Sequence, residues 1–124
     1  MVAGRSDRDT PSVPLAPAAS LFHSLAEPTR LAIVQQLTAG EARVVDLTRR
    51  LNVAQSTVSA HLACLRDCGL VRGRPEGRQM FYSLARPELL DLLAAAENLL
   101  AATGNAVALC PNYGSGNATD AVKA

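Results

Sequence analysis

The sequence predicts a mainly α-helical fold with one small β-hairpin. Hydrophobic residues make up 48% of the 124 residues but aromatic residues only 3%, so the core must consist of Leu, Val, Ile and Ala, an inventory that suits helices better than a β-sandwich. Apolar residues also recur at helical spacing in five stretches, and only one pair of short β-prone runs flanks a turn. We expect one domain over residues 18–102, between a flexible arm at 1–17 and a flexible tail at 103–124.

The first three predicted helices are short. The first covers residues 18–26, the second has Pro28 in its first turn and ends at Gly40, and the third covers residues 44–51 and ends at Asn52. Proline at the first helical position and Gly or Asn just past the last turn are typical helix boundaries. The apolar stripes of the three helices are Leu21, Phe22 and Leu25, then Leu31, Val34 and Leu37, then Val44, Leu47 and Leu51.

A fourth helix within residues 53–69 has three different faces. Val58, Leu62 and Leu65 form an apolar stripe that should face the core. A second face is small and polar, and a third carries Cys64 and Cys68, which are neighbours at i and i+4. Only three or four residues separate this helix from the third one, which is the pattern of a helix-turn-helix. The small and polar face consists of Ser56, Ser59, Ala60 and Ala63.

After the fourth helix, two short β-prone runs flank Pro75-Glu76-Gly77, which predicts a hairpin with its turn at these residues. Its basic tip could lie along a phosphate backbone as a wing, although a plain hairpin that packs against the preceding helix would show the same pattern. Pro87 opens a last helix that runs to about Ala102. Leucines cover more than one face of this helix, which predicts a homodimer through the terminal helices.

Positive charge is concentrated in the middle of the chain. The formal net charge is only +1, but residues 43–86 contain eight arginines and three carboxylates. Such an excess is expected of a phosphate-binding surface, and equally of a solvated basic face. No stretch has the pattern of a signal peptide or a membrane span, so we expect a cytoplasmic protein without a membrane partner, in which the three cysteines are reduced thiols.

Three stretches identify a family by resemblance. LAEPTRLAIVQQL at residues 25–37, VAQSTVSAHLACLRDCGLV at 53–71 and EGRQMFYSL at 76–84, together with the order of elements, resemble the ArsR/SmtB family of winged-helix metal-sensing repressors. The resemblance covers residues 21–100. It implies a winged helix-turn-helix fold and a homodimeric repressor that binds double-stranded operator DNA and leaves it when metal binds. An enzyme, or a protein with a small-molecule substrate, is not expected.

The DNA-contacting candidates lie on the fourth helix and the hairpin. Side chains at the start of a recognition helix enter the major groove, and a basic wing contacts the backbone or the minor groove. The major-groove candidates are Gln55, Ser56, Thr57, Ser59 and Ala60. The backbone candidates are Arg72, Arg74, Arg78 and Gln79, with His61 as a further phosphate-contacting candidate and Arg49 and Arg50 as weaker ones.

The resemblance also narrows the effector. The Cys-Val-Cys site of many members is Arg43-Val44-Val45 here, and the last helix has no His for the paired Asp and His ligands of the zinc-type site. The remaining thiols are Cys64, Cys68 and Cys110. This set resembles the CmtR-like branch that senses cadmium and lead, where two helix thiolates of one protomer are joined by a tail thiolate of the other.

The chemistry of these residues agrees with that branch. Residues at i and i+4 of a helix have Cβ atoms about 5–6 Å apart, which suits two thiolates on one metal. Three soft thiolates favour Cd(II) or Pb(II), and Zn(II) could also bind with water or His61 as a fourth ligand. The bland alternative is that the helix cysteines simply pack as small hydrophobes.

Three other functions remain open. The same repressor could sense oxidants or persulfides by forming a disulfide, with Cys110 as the resolving thiol. An enzyme that uses Cys64 or Cys68 with His61 lacks an acidic orienting group and a phosphate loop nearby. A dimeric interaction module without DNA would differ from a repressor in a salt-dependent gel shift.

Overall fold

The computed structural model describes residues 12–110, and within them the fold is mainly α-helical with one small sheet. The elements are α1 (Ala16–Ala26), α2 (Pro28–Leu37), β1 (Ala42–Arg43), α3 (Val44–Leu51), α4 (Gln55–Asp67), β2 (Val71–Glu76), β3 (Gln79–Leu84) and α5 (Glu88–Ala102). The predicted fold class is confirmed. Residues 1–11 of the predicted arm and 111–124 of the predicted tail lie outside the described residues.

The helix-turn-helix forms because Asn52 ends α3 in the left-handed conformation, at φ 56° and ψ 48°. Its backbone N–H donates to the Thr48 carbonyl at 2.9 Å, which closes the last turn of α3. Only residues 52–54 then separate α3 from α4. The two helices pack through side chains that are 0% exposed, and the predicted core face of α4 is confirmed. These side chains are Leu47, Val58, Leu62 and Leu65.

The hairpin belongs to a three-stranded antiparallel sheet with the order β1-β3-β2. The sequence did not predict β1, because two residues show no periodicity and its pairing partner lies about 40 residues away on β3. The predicted turn is displaced as well. Pro75 and Glu76 pair within the sheet, and the turn consists of Gly77, at φ +63°, and Arg78.

The helix boundaries differ by a few residues from the predicted ones. Helix α1 begins at Ala16, two residues inside the predicted arm, because Pro17 fits the first helical turn without losing a hydrogen bond. Helix α5 begins just after Pro87, as expected. Past α5, the chain turns at Gly104 and returns to the core, where Leu109 and Cys110 are buried. Residues 109 and 110 are therefore packed, whereas the sequence predicted a flexible tail from residue 103 onward.

None of the helices within residues 12–110 is long and apolar enough to cross a membrane. The longest, α5, has 15 residues and carries carboxylates on its surface.

Candidate nucleic-acid interface and metal site

The first turns of α4 present a small, polar surface to solvent. Gln55, Ser56, Ser59 and Ala60 are exposed, and Thr57 is half-buried, whereas Val58 between them points into the core. Ala54 precedes the helix without a side-chain cap. The first backbone N–H groups of α4 are therefore available to an anion, at the end where the helix dipole is positive. The predicted reading face therefore lies on the surface, and its contact with DNA stays a prediction.

His61 occupies a different side of α4. Its Nε2 lies 3.6 Å from the Glu27 carboxylate and its Nδ1 lies 3.4 Å from a guanidinium nitrogen of Arg30, so the ring packs against the start of α2. Glu27 accepts the backbone N–H of Arg30 and caps α2. This hydrogen bond, followed by the charges of His61 and Arg30, holds the pKa of Glu27 below its usual range. In this structure the partners of His61 are protein groups, so its position does not favour a phosphate contact or a metal ligand.

The four wing candidates are all exposed, but they differ in whether their side chains are already paired with other protein groups. These candidates are Arg72, Arg74, Arg78 and Gln79. The side chains of Arg72 and Arg78 form no ion pair with any residue in the 12–110 range, whereas Arg74 is paired with Glu41 and Glu76. Gln79 accepts a hydrogen bond from Arg43 at 2.8 Å. Arg72 and Arg78 are thus the wing cations that are free to meet a phosphate.

Cys64 lies in the last turn of α4, and Cys68 is the residue that caps its C-terminal end. Cys64 is half-buried and Cys68 is exposed, and the Cys68 N–H donates to the Cys64 carbonyl at 3.1 Å. The Cys68 thiol also lies 3.1 Å from the hydroxyl of Ser24 on α1. The predicted pair of neighbouring thiols therefore exists at a solvent-accessible edge where α4 meets α1.

Cys110 lies elsewhere, against α5. It is 1% exposed, its thiol approaches the Leu90 carbonyl at 3.9 Å, and its backbone N–H donates to Glu97 at 2.7 Å. Burial, with the nearby charge of Glu97 as a second cause, raises the pKa of the Cys110 thiol. Among the described residues, no group of three or more His, Cys, Asp or Glu side chains could hold a metal ion. One protomer alone therefore does not assemble the predicted three-cysteine site.

Several residues that organise these surfaces were missed by the sequence reasoning. Glu97 binds the tail backbone, Glu41 binds Arg74, and Ser24 meets Cys68. Each contact joins residues at least 12 positions apart, so no local periodicity reports it. The one available signal was Glu97 itself, because a carboxylate inside a leucine-rich stretch requires a partner.

The amino-acid sequence is similar to those of several bacterial regulatory proteins. The family model described as "Bacterial regulatory protein, arsR family" matches residues 27–72, from α2 to the start of β2. The probable mercury resistance operon repressor of Streptomyces lividans is 37% identical over 92 residues, which cover 74% of each chain. The regulator NmtR of Mycobacterium tuberculosis is 41% identical over 75% of this chain and 82% of its own. CmtR of Mycobacterium bovis is 44% identical over 60% of this chain and 64% of its own.

Solved structures show the same fold. Mycobacterium tuberculosis Rv0081 superposes with a TM-score of 0.69 at 35% identity, over 74% of this chain and 94% of that one. A homodimeric winged helix-turn-helix DNA-binding domain of Mycobacterium bovis superposes with a TM-score of 0.60 at 31% identity, over 69% of this chain and 84% of that one. The predicted winged helix-turn-helix fold is confirmed.

Proposed function

Because this chain belongs to the arsR family of bacterial regulatory proteins, it is a DNA-binding transcriptional repressor rather than an enzyme, and we propose that a soft metal ion releases it from its operator. One observation carries the proposal. Helix α4 exposes small polar side chains in its first turns, and at its other end it carries Cys64 in the last turn and Cys68 at the C-cap. A ligand that binds the thiols therefore acts on the element that reads DNA.

The proposed DNA surface combines two sets of side chains. Residues at the start of α4 enter the major groove, and Arg72 and Arg78 of the wing neutralise phosphates. The free N–H groups of the first turn of α4 add contacts that carry no sequence information. The α4 residues are Gln55, Ser56, Thr57, Ser59 and Ala60.

The repressor is proposed to act as a homodimer through α1 and α5. Phe22 on α1 and Leu99 on α5 are 58% and 66% exposed, which is unusual for large apolar side chains. The described surface also has an apolar groove of about 400 Å³, lined by Leu21, Leu70, Arg86, Glu88, Leu89 and Leu92. The homodimeric Mycobacterium bovis domain supports this assembly. A twofold dimer predicts an operator with twofold pseudo-symmetry and half-sites one helical turn, or a multiple, apart.

The proposed effector site consists of Cys64 and Cys68 of one protomer and Cys110 of its partner. The donor set fits a soft ion, because two thiols share one helical turn and one of them is exposed. Cd(II) and Pb(II) are the proposed effectors, and Zn(II) would need a fourth ligand. A relative named as a probable mercury resistance operon repressor supports a thiophilic metal. The described residues of one protomer bring no three such ligands together, which supports a third thiolate from the second copy.

Release of DNA follows from the position of the thiols. When the tail of one protomer is tied to α4 of the other, the relative orientation of the two reading helices is fixed, and their spacing no longer matches the operator. A coupling of about 1–3 kcal/mol would lower DNA affinity roughly 5- to 150-fold. Thiols lose protons when they bind a metal, so metal affinity should rise with pH.

The decisive experiment titrates Cd(II) into the wild-type protein and the Cys110→Ser and Cys64→Ser variants. Thiolate charge-transfer absorbance reports binding, and fluorescence anisotropy of labelled operator reports release. The wild type should show both signals, and Cys64→Ser should lose both. If Cd(II) releases the operator from Cys110→Ser as readily as from wild type, closure by the tail is wrong.

A second candidate function keeps the repressor and changes the signal to a thiol oxidant or a persulfide. The exposure of Cys68, whose thiol is within hydrogen-bond distance of the Ser24 hydroxyl, favours it, because an oxidant can reach this sulfur. The burial of Cys110 counts against a fast disulfide with it. Mass spectrometry of the protein after treatment with peroxide, persulfide or Cd(II) distinguishes the two signals. Either function places the protein in a reducing cytoplasm.

A further inference from the structure

The outer face of the wing sheet carries a row of three side chains in register. Arg43 on β1 and Arg74 on β2 both pair with Phe81 on the central strand β3. The guanidinium carbon of Arg74 lies 5.1 Å from the centre of the Phe81 ring, and that of Arg43 lies 6.0 Å from it. Both distances are within the range of a cation–π contact. The aromatic ring therefore connects one arginine from each outer strand.

Carboxylates hold both ends of this row. Arg74 donates to the two oxygens of Glu41 at 3.0 and 2.8 Å, and to Glu76 at 2.7 Å. Arg43 donates to the two oxygens of Asp46 at 3.0 and 2.9 Å. We call Glu41, Arg74, Phe81, Arg43 and Asp46 the wing bracket. It runs from the residue before β1, across all three strands, to the first turn of α3.

We propose that Arg74 is a positioning residue that holds the wing at a fixed angle to the helix-turn-helix, and that it is not a phosphate ligand. All three of its guanidinium nitrogens already donate to carboxylates. These bonds use three of the five guanidinium N–H groups, and the two carboxylates that accept them would repel a phosphate that approached Arg74. Arg72 and Arg78 are the side chains that contact phosphates, because neither forms an ion pair with a carboxylate in the described part of the chain.

The wing bracket can fix the orientation of the wing because its side chains restrict one another's motion. A single exposed ion pair contributes little, since two long side chains lose freedom to form it. Here one guanidinium serves two carboxylates and a ring, so each added contact costs less entropy than an isolated pair. Asp46 also accepts the backbone N–H of Arg43 at 2.9 Å and so begins α3. The wing is thereby connected to the first helix of the helix-turn-helix through side chains as well as through the sheet.

Substitution of Glu41 tests the proposal because the two possible roles of Arg74 predict opposite changes in operator affinity. If Arg74 positions the wing, Glu41→Gln loosens it and weakens operator affinity about two- to fivefold. If Arg74 binds phosphate, Glu41→Gln frees the arginine and removes a negative charge near DNA, so affinity rises. Asp91→Asn, which removes an exposed carboxylate that lies neither in the wing nor in the lining of the apolar groove, is the control. An unchanged or tighter affinity of Glu41→Gln overturns the proposal.

Salt dependence and a charge exchange give two further tests in the full-length protein. Loss of a phosphate contact lowers the slope of log K against log salt concentration by about 0.9. Arg72→Ala and Arg78→Ala should each show this change, and Arg74→Gln should lose affinity with the slope unchanged. Arg74→Glu should bind poorly, and adding Glu41→Arg should restore part of the affinity, because the pair re-forms with its charges reversed. A reduced slope for Arg74→Gln, or no rescue in the double variant, contradicts the positioning role.

Discussion

The carboxylate of Glu97 accepts a hydrogen bond from the backbone N–H of Cys110, with 2.7 Å between oxygen and nitrogen. The same oxygen also accepts the N–H of Leu109, and the Gln35 side chain donates to the Ala108 carbonyl at 2.6 Å. Residues 108–110 are thus bound to the two helices α2 and α5 of their own protomer. In this position the thiol proposed as the third metal ligand is buried, and the backbone of residues 109 and 110 must leave Glu97 before this thiol can reach another protomer.

Removal of the Glu97 carboxylate should expose Cys110. In the wild type, Cys110 should react with iodoacetamide much more slowly than the exposed Cys68, and Glu97→Ala should accelerate alkylation of Cys110 by about tenfold or more, as expected when a buried thiol opens to solvent. Peptide mass spectrometry measures both rates in one sample. Glu97→Gln is the matched control, because it removes the charge and keeps an oxygen that can accept both N–H groups. Equal rates for Cys110 and Cys68 in the wild type would show that the tail is not held.

Asn52, the left-handed residue between α3 and α4, should affect stability in a way that its replacement by Ala and by Gly can measure. A non-glycine residue pays about 1 kcal/mol for this conformation, and Asn pays less than Ala because its short polar side chain bonds locally. Asn52→Ala should therefore lower the free energy of unfolding by about 1 kcal/mol, whereas Asn52→Gly should be close to neutral. Urea unfolding followed by circular dichroism measures the difference. The left-handed turn is not limiting for stability if both variants unfold at the wild-type midpoint.

The start of α3 should become less stable in acid. The side-chain hydrogen bonds from Arg43, and then its backbone N–H, hold the pKa of Asp46 well below its ordinary value of 3.8. Because the folded pKa is lowered, this stabilisation is fully present above about pH 4 and is lost as the pH falls through the lower, folded value. Asp46→Asn should be less stable at pH 7 and should lose less stability on acidification.

Thermal unfolding between pH 7 and pH 3 measures this pH dependence. Asp91→Asn, at an exposed aspartate on α5, is the control. The Arg43–Asp46 pair has no special role in acid sensitivity if the two variants change the pH profile equally.

The exposed leucine of α5 should stabilise the dimer. Burial of one Leu side chain contributes about 1.5–3 kcal/mol, so Leu99→Glu should raise the dimer dissociation constant by about tenfold or more. Analytical ultracentrifugation measures the constant, and circular dichroism shows whether the helices are retained. Val13→Glu changes an apolar residue of similar exposure outside both terminal helices and should leave the dimer intact. A dimer constant that Leu99→Glu does not change would exclude this face of α5 from the interface.

Local patterns were sufficient for the helices and for the exposed face of α4. The apolar stripe of α4 and the boundary at Asn52 can be read from spacing and residue type, because both depend on neighbours within one or two turns. The same reasoning correctly placed Gln55, Ser56 and Ser59 on the exposed side of α4. It missed β1 and misplaced the hairpin turn, since a two-residue strand exists only where β3 passes beside it.

The sequence by itself determined the order of the helices and the hairpin, the core faces of the helices and the spacing of Cys64 and Cys68. Only the tertiary structure decided which polar side chains are free to act. Arg72 and Arg74 look alike in sequence, yet Arg72 forms no ion pair within residues 12–110 and Arg74 is held by Glu41, 33 residues away. Cys110 and Cys68 look alike as well, and only one is exposed. The reason is physical: exposure and ion pairing depend on segments that the fold brings together from distant parts of the chain, and spacing along the sequence carries no record of them.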